Sequence, residues 1–221
     1  MDSTASGRKP DGRRARTSRA ILDAAAKLFF ERGLQRTTID EIADAAHVSV
    51  GSVYVHFGSK ERLQLVITTT AMDLNDCYIQ EARRADTPLQ RVLGVGDAYL
   101  RFAREHTVAF RFVAMRPVEP GDNRVPTEAE RLITARVTGI IGSIAADLQE
   151  AMDIGEIRAV PIEDAMAFLW GAWSGVAGLM LRADSLAIDA DHAARALELA
   201  KQVLVAGMRP DPAPITVHPA A

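Results

Sequence analysis

Cysteine is almost absent from this 221-residue chain: Cys77 stands alone. That excludes an internal disulfide framework and a cysteine-based zinc site, and it points to the cell interior, the cytoplasm. Aromatic residues are sparse at 5%, and no stretch alternates apolar and polar residues as a half-buried strand does. The N-terminus is polar and lacks the apolar segment of a secretory leader. The longest uncharged run, residues 165–181, is short for a membrane span and is interrupted by Gly171, Ser174, Gly175 and Gly178. It reads as a fully buried helix, with no membrane partner. Catalytic signatures are missing as well: there is no HExxH, no GxSxG and no GxxxxGK[ST] phosphate loop. The five histidines are scattered, and Cys77, between Asp76 and Tyr78, has no histidine beside it. Neither an enzyme nor a resident metal or cofactor is expected.

What is present is helical. The chain is 48% apolar and 25% charged, ordinary for a globular protein, and alanine, leucine, glutamate and arginine recur at helical spacing, so the fold class is all-α with about nine helices. Charge is unevenly spread. Residues 1–60 hold ten Lys/Arg against seven Asp/Glu, net +3, whereas residues 61–221 hold sixteen against twenty-two, net −6. Six of the ten lie in the first twenty residues, which suits a disordered basic arm over 1–16 that meets an anion, although short basic segments also serve solubility alone.

From Thr17, Ile21, Leu22, Ala25, Leu28 and Phe29 mark a first helix that Gly33 stops. Thr38 precedes Glu41 by three residues, a capping box that opens a short second helix with Ile42 and Ala43. His47 falls where a tight turn favours positive φ, and Ser49 caps a third short helix ending near Phe57 and Gly58. Ser59 caps a fourth helix that runs from Lys60 with no breaker until Pro88. Further helices are expected at about 88–105, 107–115, 127–153, 162–182 and 190–208, with Thr127 and Glu130 forming another capping box. The proline-bearing stretch 116–126 reads as a loop, and 210–221 as a disordered tail.

Two short helices joined by a tight turn, the second presenting small and polar residues, follow the helix-turn-helix plan, in which the second helix enters the DNA major groove. Gly51 adds no bulk there, Ser49 and Ser52 can bond phosphates or bases, and Val50 can touch a thymine methyl. The segment TIDEIADAAHVSVGSVYVHFGSKERLQLVI, preceded by RAILDAAAKLFFERG, closely resembles the DNA-binding domain of the tetracycline-repressor (TetR) family of transcriptional regulators. The likeness covers residues 17–67, and GEIR followed by LWGAWSGVAGL carries a weaker one to the family's C-terminal domain. His47 stands where the family often has glycine, and Val50 where it often has a basic residue.

The resemblance implies a three-helix DNA-binding domain over 17–60 and a larger helical domain over 61–209 that binds an effector and dimerises. It implies phosphate contacts by Thr38, Tyr54, His56 and Lys60, and a recognition surface of Ser49, Val50, Gly51, Ser52 and Tyr54. Arg13, Arg14 and Arg16 of the arm either reach an A·T-rich minor groove or add only salt-dependent affinity. One helix-turn-helix covers too few base pairs to find one operator, so a homodimer on a palindromic double-stranded site is expected. Gly171, Gly175 and Gly178, together with Leu197 and Leu204, are its candidate interface, unless these helices form the core of a monomer. Phe102, Phe110, Phe112, Met115, Val137, Ile141, Phe168, Trp170 and Met180 are candidate lining for an unidentified small-molecule effector. Arg101, Arg104 and His106 lie close enough in sequence to pair with its carboxylate. The expected function is that of a repressor released from DNA by the effector; the alternative is a helical protein-interaction module without sequence-specific DNA binding.

Overall fold

The computed structural model describes residues 11–114 and 128–210. Among these residues there are nine helices and no strand: α1 (Asp11–Arg32), α2 (Ile39–Ala45), α3 (Val50–Phe57), α4 (Lys60–Ala82), α5 (Pro88–Glu105), α6 (Thr107–Ala114), α7 (Glu128–Asp153), α8 (Ile162–Met180) and α9 (Ala190–Gly207). The expectations for residues 1–10, for Met115, for the 116–126 loop, for the Thr127–Glu130 box and for the tail from 211 onward lie outside the described residues.

Three boundaries differ from the sequence reading. First, α1 begins six residues earlier than Thr17, so residues 11–16 are helical rather than a disordered arm. Arg13, Arg14, Ala15 and Arg16 are strong helix formers, and Arg16 Nε donates to the Gly12 carbonyl one turn back at 3.1 Å. Second, α4 ends at Ala82 rather than running on to Pro88. Proline forces the residue before it out of the helical region, and Thr87 is extended; its Oγ1 then accepts from Gln90 N at 3.3 Å and starts α5 with Pro88 in the first turn. Third, α8 is not buried all round: Met166, Leu169, Trp173 and Ala177 are covered, whereas Phe168, Trp170 and Leu179 are exposed.

Within the described residues the chain forms two compact units, 11–72 with 108–114, and 73–107 with 128–210. The division falls inside α4 and not at residue 60. The reason lies in the side chains of α4: Leu63 and Ile67 complete the first core with Ile21, Ala25, Ile42, Val53 and Phe57, whereas Ile79 belongs to the second. Phe112 of α6 packs against the first core.

The second core gathers Val92 and Val95 of α5, Ile144 and Leu148 of α7, Leu169 and Trp173 of α8, and Leu197 of α9. Asp147, 4% exposed, is charge-compensated inside it by Arg83 Nε at 2.5 Å and Arg91 Nε at 3.0 Å. A buried carboxylate needs such partners, because desolvation without them costs several kcal/mol or more. Among the described residues no helix is long and apolar enough to cross a membrane, and no group of histidine, cysteine, aspartate or glutamate is placed to hold a metal ion.

Candidate nucleic-acid interface

The helix-turn-helix is assembled by local hydrogen bonds that its sequence makes available. Thr38 Oγ1 accepts from Glu41 N at 3.2 Å while Glu41 Oε2 accepts from Thr38 N at 2.9 Å, the reciprocal pair that starts α2. These bonds, the main-chain one foremost, hold the Glu41 carboxyl below the usual glutamate range. At the other end of α2, His47 N donates to Asp44 O and Val48 N to Ala43 O, closing a Schellman turn with His47 at φ 56°. Glycine costs least in that left-handed position, and histidine is one of the residues that tolerate it. Ser49 Oγ then accepts from Ser52 N at 3.2 Å and starts α3.

Beneath these turns lies a second tie. Thr37 is fully buried, and its Oγ1 donates to the Gly33 carbonyl at 2.9 Å. Lys60 Nζ donates to the Thr37 carbonyl at 3.0 Å. The end of α1, the start of α2 and the start of α4 are thereby fastened together, which sets the orientation of α3 between them.

Val53 and Phe57 are the buried face of α3. On the opposite side Gly51 leaves open space, Tyr54 is 53% exposed and Val55 is 76% exposed. Ser49 and Thr38 are exposed, while Val50, Ser52, His56 and Lys60 are half-buried. Val50 packs against the first core, so less of it is free than a surface residue would offer. The His56 ring lies 6.1 Å from the Phe57 ring. Arg13, Arg14 and Arg16 are exposed on the first turns of α1. Val55, the most exposed large apolar residue among the described residues, is absent from the sequence-based set; its position four residues after Gly51 and opposite Val53 and Phe57 is the signal that would have found it.

The candidate effector residues fall in both units. Phe110 and Phe112 belong to the first unit; Phe102, Val137, Ile141, Phe168, Trp170 and Met180 belong to the second. Phe102 is fully buried beside Tyr78 and His106, whereas Phe168 and Trp170 are exposed. A cleft of about 150 Å³ lies in the second unit, bordered by Asp97, Leu100, Arg101, Arg104, Met180, Ala190 and Ala194; Met180 is its single residue from the expected apolar lining, and Arg101 and Arg104 come from the expected cationic group. The helical period alone could not separate core from cleft. His106 is engaged elsewhere: its Nε2 lies 3.0 Å from Tyr78 Oη, which donates to Glu105 at 2.6 Å. That bond to a carboxylate raises the Tyr78 pKa and, from the other side, lowers that of Glu105. Asn75, buried in α4, keeps an Oδ1 with no hydrogen-bond partner among the described residues.

The candidate dimer residues also divide. Leu197 is core, and Leu204 packs against it half-buried. The outward apolar residues of α9 are instead Leu199 and Val203, one turn apart, and those of α8 are Phe168 and Leu179, on the face that carries Gly171 and Gly175, with Trp170 exposed on another face.

Comparison with known proteins agrees with this architecture. Residues 21–66 match the family model described as "Bacterial regulatory proteins, tetR family", and residues 92–204 match "Tetracyclin repressor-like, C-terminal domain". A stretch of 43 residues, 20% of this chain and 21% of the relative, is 58% identical to the HTH-type transcriptional repressor KstR2 of Rhodococcus jostii. The chain spans between 21% and 44% of the length of four curated relatives that it matches. The solved structure of the ketosteroid transcriptional regulator KstR2 of Mycobacterium tuberculosis superposes with a TM-score of 0.69 at 21% identity, covering 92% of this chain and 98% of that one. That of AibR in complex with isovaleryl coenzyme A and operator DNA does so at 0.68 and 19%, covering 88% and 98%. The second family match spans half of the chain, beyond the helix-turn-helix itself, and the chain belongs to the TetR family of bacterial transcriptional regulators.

Proposed function

We propose that the protein is a homodimeric transcriptional repressor that binds a palindromic double-stranded operator and leaves it when a small-molecule effector enters the second unit. The observation that carries this reading is the braced helix-turn-helix, with α2 capped by Thr38, the turn closed at His47, and α3 turning Gly51, Tyr54 and Val55 outward. Ser49, Val50, Gly51, Ser52 and Tyr54 form the surface offered to the major groove. Thr38, His56 and Lys60 flank it toward the phosphates, and Arg13, Arg14 and Arg16 add positive charge from α1. Two copies joined through the outward faces of α8 and α9 would hold two such surfaces at the spacing of a palindrome, about 34–36 Å or a multiple.

For the effector, the cleft beside Arg101 and Arg104 offers cationic groups to an anionic ligand, and its volume, below the roughly 300 Å³ of an ordinary ligand pocket, requires opening before a larger molecule enters. AibR, solved with an acyl coenzyme A and operator DNA, is an instance of a related fold that meets both kinds of partner. An effector that favours one arrangement of the helices shifts DNA affinity by its differential affinity for the two states. As a DNA-binding protein of this kind it acts in the cytoplasm.

The test is selection from a random duplex pool with the purified chain, followed by anisotropy titration of the recovered sequence at several salt concentrations. A palindrome bound more tightly than random duplex, with affinity falling as salt rises, is the expected result. Binding indistinguishable from random duplex overturns the proposal and leaves a helical protein-interaction module.

A further inference from the structure

The eight residues of α3, VGSVYVHF, contain no arginine, lysine, asparagine, glutamine, aspartate or glutamate. Those are the side chains that read guanine, adenine and cytosine edges in the major groove by hydrogen bonding, so the usual hydrogen-bond readout of three of the four bases is closed to this helix. What α3 does present is Val55, 76% exposed and directly opposite the buried Val53 and Phe57. One turn earlier stands Gly51, where an added Cβ would meet nothing within 4 Å. The outward face therefore carries an isopropyl group in its C-terminal half, with an open notch one turn before it. Its polar neighbours are the hydroxyls of Ser52 and Tyr54 and the ring of His56, while the Ser49 hydroxyl accepts the cap bond of α3 and keeps its O–H to donate.

An exposed β-branched apolar side chain on a groove-entering surface has one complementary feature in the major groove, the C5-methyl of thymine. We infer that Val55 is a specificity-determining residue that reads a thymine methyl in each half-site, with Gly51 supplying the clearance that lets the helix approach. This inference rests on the DNA-binding reading above. Burying a methyl against Val55 removes both groups from water, and a contact of that size corresponds to about fourfold in affinity per half-site.

The experiment starts from the duplex selected with the full chain. Each thymine in turn is replaced by uracil, which removes the C5-methyl and leaves every hydrogen-bonding group in place. Wild-type protein is expected to lose about fourfold per half-site at one thymine and its symmetry mate. The Val55→Ala variant binds the unmodified duplex more weakly by a similar factor and is insensitive to uracil at that position, while keeping wild-type responses at the other thymines. Val55→Asn supplies an amide, and selection with it is expected to move that position from thymine to adenine. Equal uracil sensitivity of wild type and Val55→Ala at every thymine, or an unchanged preference with Val55→Asn, overturns the assignment while specific binding survives. Recovery of no preferred sequence by the wild type overturns the DNA-binding reading itself, and this inference with it.

Discussion

Lys60 Nζ donates to the main-chain carbonyl of Thr37 at 3.0 Å, which links the first residue of α4 to the residue just before the cap of α2. Thr37 is itself fully buried and bonded back to Gly33, so this carbonyl is held in place and the ammonium is held with it. Family resemblance assigns Lys60 to a phosphate, and the geometry adds a bracing role. An ammonium has three donors, and one bond to Thr37 leaves two for a phosphate. Lys60→Met keeps the aliphatic stem and removes both roles. It is expected to cost about 1 kcal/mol in urea denaturation, the size of one hydrogen bond, and to reduce the salt slope of DNA binding by about one. An unchanged salt slope with reduced stability would make Lys60 a brace alone.

The capping box at Thr38 and Glu41 should make the first unit acid-sensitive. The Glu41 carboxyl is lowered because Thr38 donates to it from main chain and side chain, with Arg32 at 3.0 Å adding a smaller pull. A carboxylate lowered in the folded state stabilises that state at pH values above its unfolded pKa, and the contribution is lost as pH falls through the folded value. Thermal unfolding followed across the acid range should therefore show a steeper loss for wild type than for Glu41→Gln, which cannot titrate. Thr38→Ala should lose about 1 kcal/mol already at neutral pH, the usual cost of removing such a cap. Parallel acid profiles for wild type and Glu41→Gln would show that the box is not formed in solution.

These two sites also explain why the helix-turn-helix is legible in the sequence. Thr38 and Glu41, Ser49 and Ser52, and the turn at His47 act over three to five residues, so spacing alone reveals them. Longer-range features are hidden for the complementary reason. The arginines before Thr17 resemble a charged arm because charge is conspicuous, whereas their helix propensity, which extends α1 to Asp11, is not. In α8 every face is apolar, and the sequence cannot say that Trp173 turns inward while Phe168 turns outward. The cleft beside Arg101 is built from α5, the end of α8 and the start of α9, a juxtaposition that no local pattern encodes.

Gly96 and Trp173 provide a packing test of the second unit. A Cβ at Gly96 would stand 2.4 Å from Trp173 Nε1 and 2.8 Å from Cδ1, closer than any real contact. Trp173 is buried among Val92, Leu169 and Leu197, so the indole cannot simply swing away. Gly96→Ala should therefore destabilise the protein, with overpacking of about 1–3 kcal/mol outweighing alanine's better helix propensity. Combining it with Trp173→Phe, which removes the nitrogen-bearing ring edge, should recover part of the loss. Additive losses in that double variant, measured by urea denaturation, would mean that the strain is relieved elsewhere.

The outward faces of α8 and α9 make the most direct prediction about assembly. Phe168 and Val203 are 61% and 63% exposed, and Leu179 and Leu199 are exposed as well, all four on helices that pack together. Large apolar side chains exposed in this number on two packed helices are costly on an isolated monomer, and a two-fold axis allows such a face to cover its own copy. Phe168→Glu and Val203→Glu should each shift the protein from dimer to monomer in sedimentation velocity, with helicity unchanged because neither side chain supports the core. Leu197→Ala is the contrast: Leu197 is buried within the subunit, so its truncation should lower stability by about 2–5 kcal/mol without charging the interface. DNA binding separates the cases further. A monomeric variant keeps its half-site surface but loses the effective concentration of the second, which is worth about 10²–10⁴ in affinity. It should therefore lose most of its affinity for a palindrome and little for a single half-site. Both glutamate variants remaining dimeric at micromolar concentration would remove this face from the interface and require another partner for Phe168 and Val203.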